Sequence, residues 1–222
     1  YYGFIYGGYT MTLINLILDG TGMITRMVWL PDAENGLVFS NVLLQNAPER
    51  ALRLSLDDHD AYIDNTIFKQ NVGTSGGAAI VLLKEGHDSD RDVTLFISNS
   101  IFEGNQVTAG GSSSKCGGAI QVQGVSSLAQ GLLILQITNT QFIKNKAVGG
   151  EGKVGHMICI QSNPQHVRVT FFDIGATWTT CTGCTVADNF AELKTASTIM
   201  AATKGSYFID TDITLTDALT LA

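Results

Sequence analysis

One nine-residue frame, I-x-N-x-x-F-x-x-N, returns three times and constrains this chain more than any other feature. It reads Ile63-Asp64-Asn65-Thr66-Ile67-Phe68-Lys69-Gln70-Asn71, then Ile97 to Asn105 around Asn99 and Phe102, then Ile137 to Asn145 around Asn139 and Phe142. A frame that returns along a chain marks one supersecondary unit stacked on copies of itself, because a single unit cannot bury its apolar face alone. Weaker copies extend the series. Asn15 with Leu18 and Asn41 with Leu44 lie upstream; Gly183 with Val186 and Thr211 with Thr214 lie downstream. A second element alternates with the first. It is spelled Gly117-Gly118-Ala119-Ile120-Gln121-Val122 and Gly77-Ala78-Ala79-Ile80-Val81-Leu82, with reduced forms at Leu52-Arg53-Leu54, Ile158-Cys159-Ile160 and Ile199-Met200-Ala201.

The spacing selects the architecture. The first Asn position falls at 15, 41, 65, 99, 139, 183 and 211, in steps of 26, 24, 34, 40, 44 and 28. Helical repeats hold a nearly fixed period; here short motifs stay constant while the connections change length, as in stacked strands whose loops bulge outward. The trios Val93/Leu95/Ile97, Leu133/Leu135/Ile137 and Val167/Val169/Phe171 alternate with period two, which places each trio on one face of a strand. The expected fold is therefore all-β: a right-handed parallel β-helix, or solenoid, of about seven coils with variable-length loops, forming one domain over 1–222. Like residues would stack about 4.8 Å apart along its axis. Phe68, Phe102 and Phe142 are expected to form an aromatic ladder. Asn65, Asn99 and Asn139 are expected to form an inward-facing ladder at a corner, since Asn tolerates the left-handed backbone region.

Composition narrows the function classes. Forty-five per cent apolar and 15% charged residues exclude a disordered chain, and a net charge of −7 without a basic run opposes nucleic-acid binding. No stretch approaches the roughly 20 apolar residues of a membrane helix, so membrane insertion is not expected. The chain begins at Tyr1 without a leader-like block, which reads as a processed form or a piece of a longer protein.

Two constellations carry candidate chemistry. Aligning Ala51-Leu52 with Ala79-Ile80 sets Asp57 on Glu85, His59 on His87 and Asp60 on Asp88. These six residues could hold Ca²⁺ or a transition metal, although a solvated acidic loop is the plainer and preferred reading. No other cofactor is expected. Among four cysteines, Cys181 and Cys184 stand in Cys-Thr-Gly-Cys. The βαβ context of a redox motif is absent, and Cys116 and Cys159 are not spaced as a second zinc pair, so a local Cys181–Cys184 disulfide is expected.

The alternating elements, Gly117 to Ile120 with Phe68–Asn71, Phe102–Asn105 and Phe142–Asn145, resemble the polymorphic outer membrane protein repeat, written GGA[I/L/V] and FxxN. That repeat belongs to the pectin-lyase-like right-handed parallel β-helix superfamily, and the resemblance covers roughly residues 60–160. It implies an extracellular or cell-surface structural or adhesive module. The Gly-His-Gly and Arg-x-Lys elements of polygalacturonase-type hydrolases on this fold are missing. Gly86-His87 is followed by Asp88, Gly155-His156 by Met157, and the pair Asp210/Asp212 has no partner base. No enzyme activity is therefore expected. The expected partners are further copies of the chain, through end-to-end filament assembly, or surface glycans and proteins. The alternative is a polysaccharide-binding or polysaccharide-cleaving protein.

Overall fold

A computed structural model describes residues 5–6, 10–22, 26–31, 36–74, 76–84, 90–108, 117–125, 131–147, 158–160, 167–172, 175–177, 190–191 and 208–209. Among them the chain is all-β, with no helix and three parallel sheets of seven, eleven and three strands. The seven strands of the first sheet run Ile5–Tyr6, Val28–Leu30, Leu52–Ser55, Ile80–Lys84, Ile120–Val125, Ile158–Ile160 and Phe190–Ala191, each paired with the next in sequence order. Between successive visits to this sheet the chain contributes to the second. It does so as one long strand in Met11–Asp19 and Leu37–Gln45. Later it uses two short strands either side of a corner, as in Ala61–Asp64 with Ile67–Lys69, Val93–Ser98 with Ile101–Glu103, and Leu133–Thr138 with Gln141–Ile143. The third sheet collects Val72–Gly73, Gln106–Val107 and Lys146–Ala147.

Period-two alternation produces the core. Val93, Leu95 and Ile97 are buried, while Thr94, Phe96 and Ser98 between them are half-exposed. Parallel pairing then sets like on like: Leu95 on Ala61 and Leu135, Ile97 on Ile63 and Ile137, and Ile120 on Ile80 and Ile158. Each such side chain contributes about 1.5–3 kcal/mol on leaving water, an upper figure before chain entropy is set against it. Phe68, Phe102 and Phe142 stack with centroids 4.8 and 4.9 Å apart and planes within 6°. Leu44 and Leu18 continue that row toward the N-terminus, as the sequence frame anticipates.

The corner residues break the alternation. Asn15, Asn41, Asn65, Asn99 and Asn139 all have positive φ, between 43 and 55°. Continued strand parity would point Asn65 inward after Ile63. The left-handed residue instead swings its own side chain out and turns Thr66 in. Asn65, Asn99 and Asn139 are accordingly exposed, not inward-facing, while Thr66, Ser100 and Thr140 behind them are buried.

The C-terminal copies also differ from the sequence alignment. Gln141–Ile143 pairs with Gly175–Thr177, so the Phe142 position passes to Ala176 and not to the expected Val186, and the expected corner at Gly183 lies outside the described residues. Gly175–Thr177 pairs in turn with Phe208–Ile209, moving the next Phe position to Ile209 from the expected Thr214. In the first sheet, Ile158–Cys159 pairs with Phe190–Ala191, not with the expected Ile199-Met200-Ala201.

Candidate functional site

The acidic corner lies where the first sheet hands the chain to the second. Leu52 pairs with Ile80, which bears out the offset of 28 within the strands. By Ala61 the partner is Leu95, an offset of 34. The loop after Lys84 is six residues longer than the one after Leu56, and it shifts every alignment beyond it. Asp60 therefore stands opposite Thr94 and not Asp88. Its Oδ1 accepts the Thr94 N–H at 2.8 Å, and Oδ2 lies 4.0 Å from an Arg91 guanidinium nitrogen. Asp92 does the same one passage later, with Oδ1 accepting the Leu132 N–H at 2.7 Å. These carboxylates accept a backbone N–H at the start of the strand stacked on them, a structural use that needs no metal.

The corner contains its own cation. Lys84 is fully buried, and its ammonium donates to the Arg91 carbonyl at 2.6 Å. Burial pushes its pKa below the ordinary lysine value, while Asp92, Asp58, Asp57 and Asp90 favour the charged form. A side chain at Gly131 would collide with the Arg91 carbonyl and come within 2.7 Å of Lys84 Nζ, so glycine closes this corner. Asp58 and His59 are exposed, and Glu85, His87 and Asp88 lie outside the described residues. Among the described residues no group of three His, Cys, Asp or Glu is placed to hold a metal ion.

Two asparagine rows flank the strands. The exposed row is linked by Asn41 donating to Asn15 at 2.6 Å, Asn65 to Asn41 at 3.3 Å and Asn139 to Asn99 at 2.7 Å. Asn99 donates instead to Asp64 Oδ1 at 2.7 Å, beside the Ser98 hydroxyl. These two donors, with the Asn65 N–H, hold the Asp64 carboxyl below its ordinary pKa. The buried row is the last residue of the frame: Asn71 donates to Asn105 and Asn105 to Asn145, each at 2.9 Å. The same amides donate to the Leu44, Phe68 and Phe102 carbonyls, and their oxygens accept the backbone N–H of Ala47, Asn71 and Asn105. The frame displays this second row, but its burial depends on the turn residues before it. Gln70, Gly104 and Lys144, like the corner asparagines, have positive φ.

On the outer face, Tyr62 is 47% exposed and stacks on Phe96 at 5.0 Å, three residues before Asn65 and Asn99 in their respective strands and corners. Cys159 is buried and disulfide-bonded. The expected Cys181–Cys184 pair lies outside the described residues, as does Cys116. Two groups are not legible in the sequence because their members belong to different repeats: Lys84 with its carboxylates, and Arg26 and Arg53 over the Trp29 ring at 4.7 and 5.6 Å, with Arg26 and Arg50 each 3.4 Å from one oxygen of Glu49.

No family model, curated protein or solved structure matches this chain.

Proposed function

We propose that the chain is a right-handed parallel β-helix of about seven coils that serves as an extracellular or cell-surface structural and adhesive module, of the polymorphic outer membrane protein repeat type. The observation that carries this reading is the in-register row of identical side chains, Phe68/Phe102/Phe142 and Asn71/Asn105/Asn145, on parallel neighbours. Parallel crossovers are right-handed in about 98% of cases, which supports the hand. The Gly-rich elements support the resemblance, since Ile80 pairs with Ile120 and Gly77 and Gly117 both take positive φ before them. The Cys159 disulfide favours an oxidising compartment.

End-to-end assembly is supported by the outer edge of Met11–Asp19, uncovered among the described residues. This nine-residue strand pairs only with Leu37–Gln45 among the described residues, and Ile14, Leu16 and Ile17 are exposed at 56, 36 and 66%. A long apolar edge is a template for another strand. Light scattering and negative-stain imaging of the purified protein test this. Rod-like oligomers are expected, and the double change Leu16→Lys, Ile17→Lys returns them to monomers. A wild type that stays monomeric at every concentration would overturn the assembly.

The second reading, a polysaccharide-binding or polysaccharide-cleaving module, is favoured by the half-exposed Tyr62–Phe96 stack on the outer face, with the exposed Asn65 and Asn99 three residues further along, because aromatic rings and amide groups together suit sugar hydroxyls. A glycan array with a reducing-sugar assay separates the two. Saccharide capture lost on Tyr62→Ala would favour the second.

A further inference from the structure

The outward-pointing residues of the second sheet fall into rows, and one row changes size abruptly at Tyr62. Val38, Tyr62 and Phe96 are register partners on successive strands. Phe96 lies against one face of the Tyr62 ring, with centroids 5.0 Å apart and planes within 5°. The other face is turned toward Val38, whose side chain ends one carbon past Cβ where the tyrosine carries a whole ring. The outer part of that face stands clear of its neighbour, and Tyr62 is 47% exposed although it is stacked. The result is a step, with an aromatic wall rising above a short aliphatic floor. Two residues along, Ser40, Asp64 and Ser98 form the next outward row. Asp64 Oδ1 accepts the Ser98 hydroxyl and the Asn99 amide, each at 2.7 Å, and Oδ2 takes neither. A carboxylate has about four acceptor sites, so two donors leave capacity for a third. Asp64 is the only charged residue of these two rows among the described residues. At the start of its strand Asp60 lies 4.0 Å from Arg91, a pair of opposite sign.

We propose that this step is a subsite for one neutral pyranose ring of a polysaccharide, its C–H face laid on Tyr62, its edge over Val38 and a hydroxyl donated to Asp64. The inference rests on the saccharide reading given above and narrows it to uncharged sugars. The face of an aromatic ring is its negative side, which attracts the weakly positive C–H groups that line one face of a pyranose. Covering the open ring face and the Val38 methyls removes apolar surface from water as well. A charged acceptor makes a stronger hydrogen bond than a neutral one, and it fixes which way the sugar turns on the wall. The same carboxylate selects. Ser98 first and Asn99 next hold Asp64 ionised below the ordinary carboxylate range. A uronate or sulfate brought to the step therefore meets a like charge, in a chain whose net charge is already −7. No motif in the sequence signals the step, because its wall and its floor come from different passages of the chain.

Calorimetric titration of the purified full chain tests it, with cellohexaose, laminarihexaose, mannohexaose and xylohexaose as neutral probes and hexagalacturonate and dextran sulfate as acidic ones. Saturable binding of at least one neutral probe is expected, and none of the acidic pair. Tyr62→Ala is expected to weaken binding about tenfold or more, and Asp64→Asn several-fold. Val38→Phe extends the aromatic row across the open face of Tyr62. It is expected to abolish binding while leaving the thermal midpoint unchanged or raised, a combination that a merely structural role for the row would not give. Circular dichroism confirms that each variant is folded. Neutral binding untouched by both Tyr62→Ala and Val38→Phe would overturn the step as the site and leave the saccharide reading standing. Capture of the acidic probes alone, lost with Tyr62→Ala, would overturn the choice of uncharged sugars and nothing else. Capture of no saccharide would overturn the proposal and that reading together.

Discussion

Asn99 and Asn105 are the same residue type six positions apart in one frame, yet one is exposed and the other buried. Asn99 takes φ 49° and exchanges hydrogen bonds in water, where each is worth little. Asn105 makes four: its amide donates to Phe68 O and Asn145 Oδ1, and its oxygen accepts from Asn71 N and Nδ2. Replacing it strands partners that water cannot reach, at about 1–3 kcal/mol for each group left unsatisfied. Asn105→Ala is therefore expected to cost about 2–4 kcal/mol in urea unfolding. Asn99→Gly, which keeps the left-handed backbone, should cost about 1 kcal/mol or less. Asp64 adds a pH dependence. Its folded pKa is depressed, by the Ser98 hydroxyl first and then Asn99, so its contribution is fully present above the unfolded value of about 3.9. That contribution is lost as pH falls through the lowered folded value. Unfolding midpoints measured from pH 6 down to pH 2 should drop, and Asp64→Asn should show a shallower drop over the same range. An equal slope in both proteins would remove Asp64 from the account.

At the scale of elements, the sequence disclosed the strands better than the turns. The trio Val167/Val169/Phe171 does align with Leu133/Leu135/Ile137, as their shared alternation suggests. Carrying that trio's offset of 34 onward leads to the pairing of Gln141 with Gly175; the decayed motif at Gly183, with Gly for the first Asn and Val186 for the Phe, did not lead there. The inward sense assigned to Asn65, Asn99 and Asn139 failed for a local reason: one left-handed residue inverts strand parity, and period-two counting carries no record of it. The two-residue strands of the third sheet are too short to show any alternation. Turn chemistry itself gives a test. A side chain at Gly117, φ 76°, would collide with the Ile120 carbonyl, whereas one at Gly104, φ 63°, meets nothing nearer than Gln70 Cγ at 3.6 Å. Gly117→Ala should cost about 2 kcal/mol or more and Gly104→Ala about 1 kcal/mol, the backbone term alone. Thermal unfolding of the two variants side by side measures the difference.

For the whole molecule, loop length decides what can be read from sequence. Strands locked by stacked Ile, Leu and Phe keep their register, so 52 finds 80 and 97 finds 137. Loops are free to grow, and the six residues added after Lys84 defeat an alignment drawn across them, which is why Asp60 meets Thr94. Of the candidate metal residues, Glu85, His87 and Asp88 lie outside the described residues, so only the position of Asp60 bears on that grouping. The arginine cluster was invisible for the complementary reason, being assembled from neighbours in space that no single repeat contains. The central claim is that each passage of the chain sets its side chains on those of the last. Nuclear Overhauser spectroscopy on protein with only phenylalanine protonated tests it most directly, with ring signals assigned by Phe68→Leu, Phe102→Leu and Phe142→Leu. Cross-peaks from the Phe102 ring to both Phe68 and Phe142, each lost with its own substitution, are the predicted result; a Phe102 ring with contact to neither would contradict it.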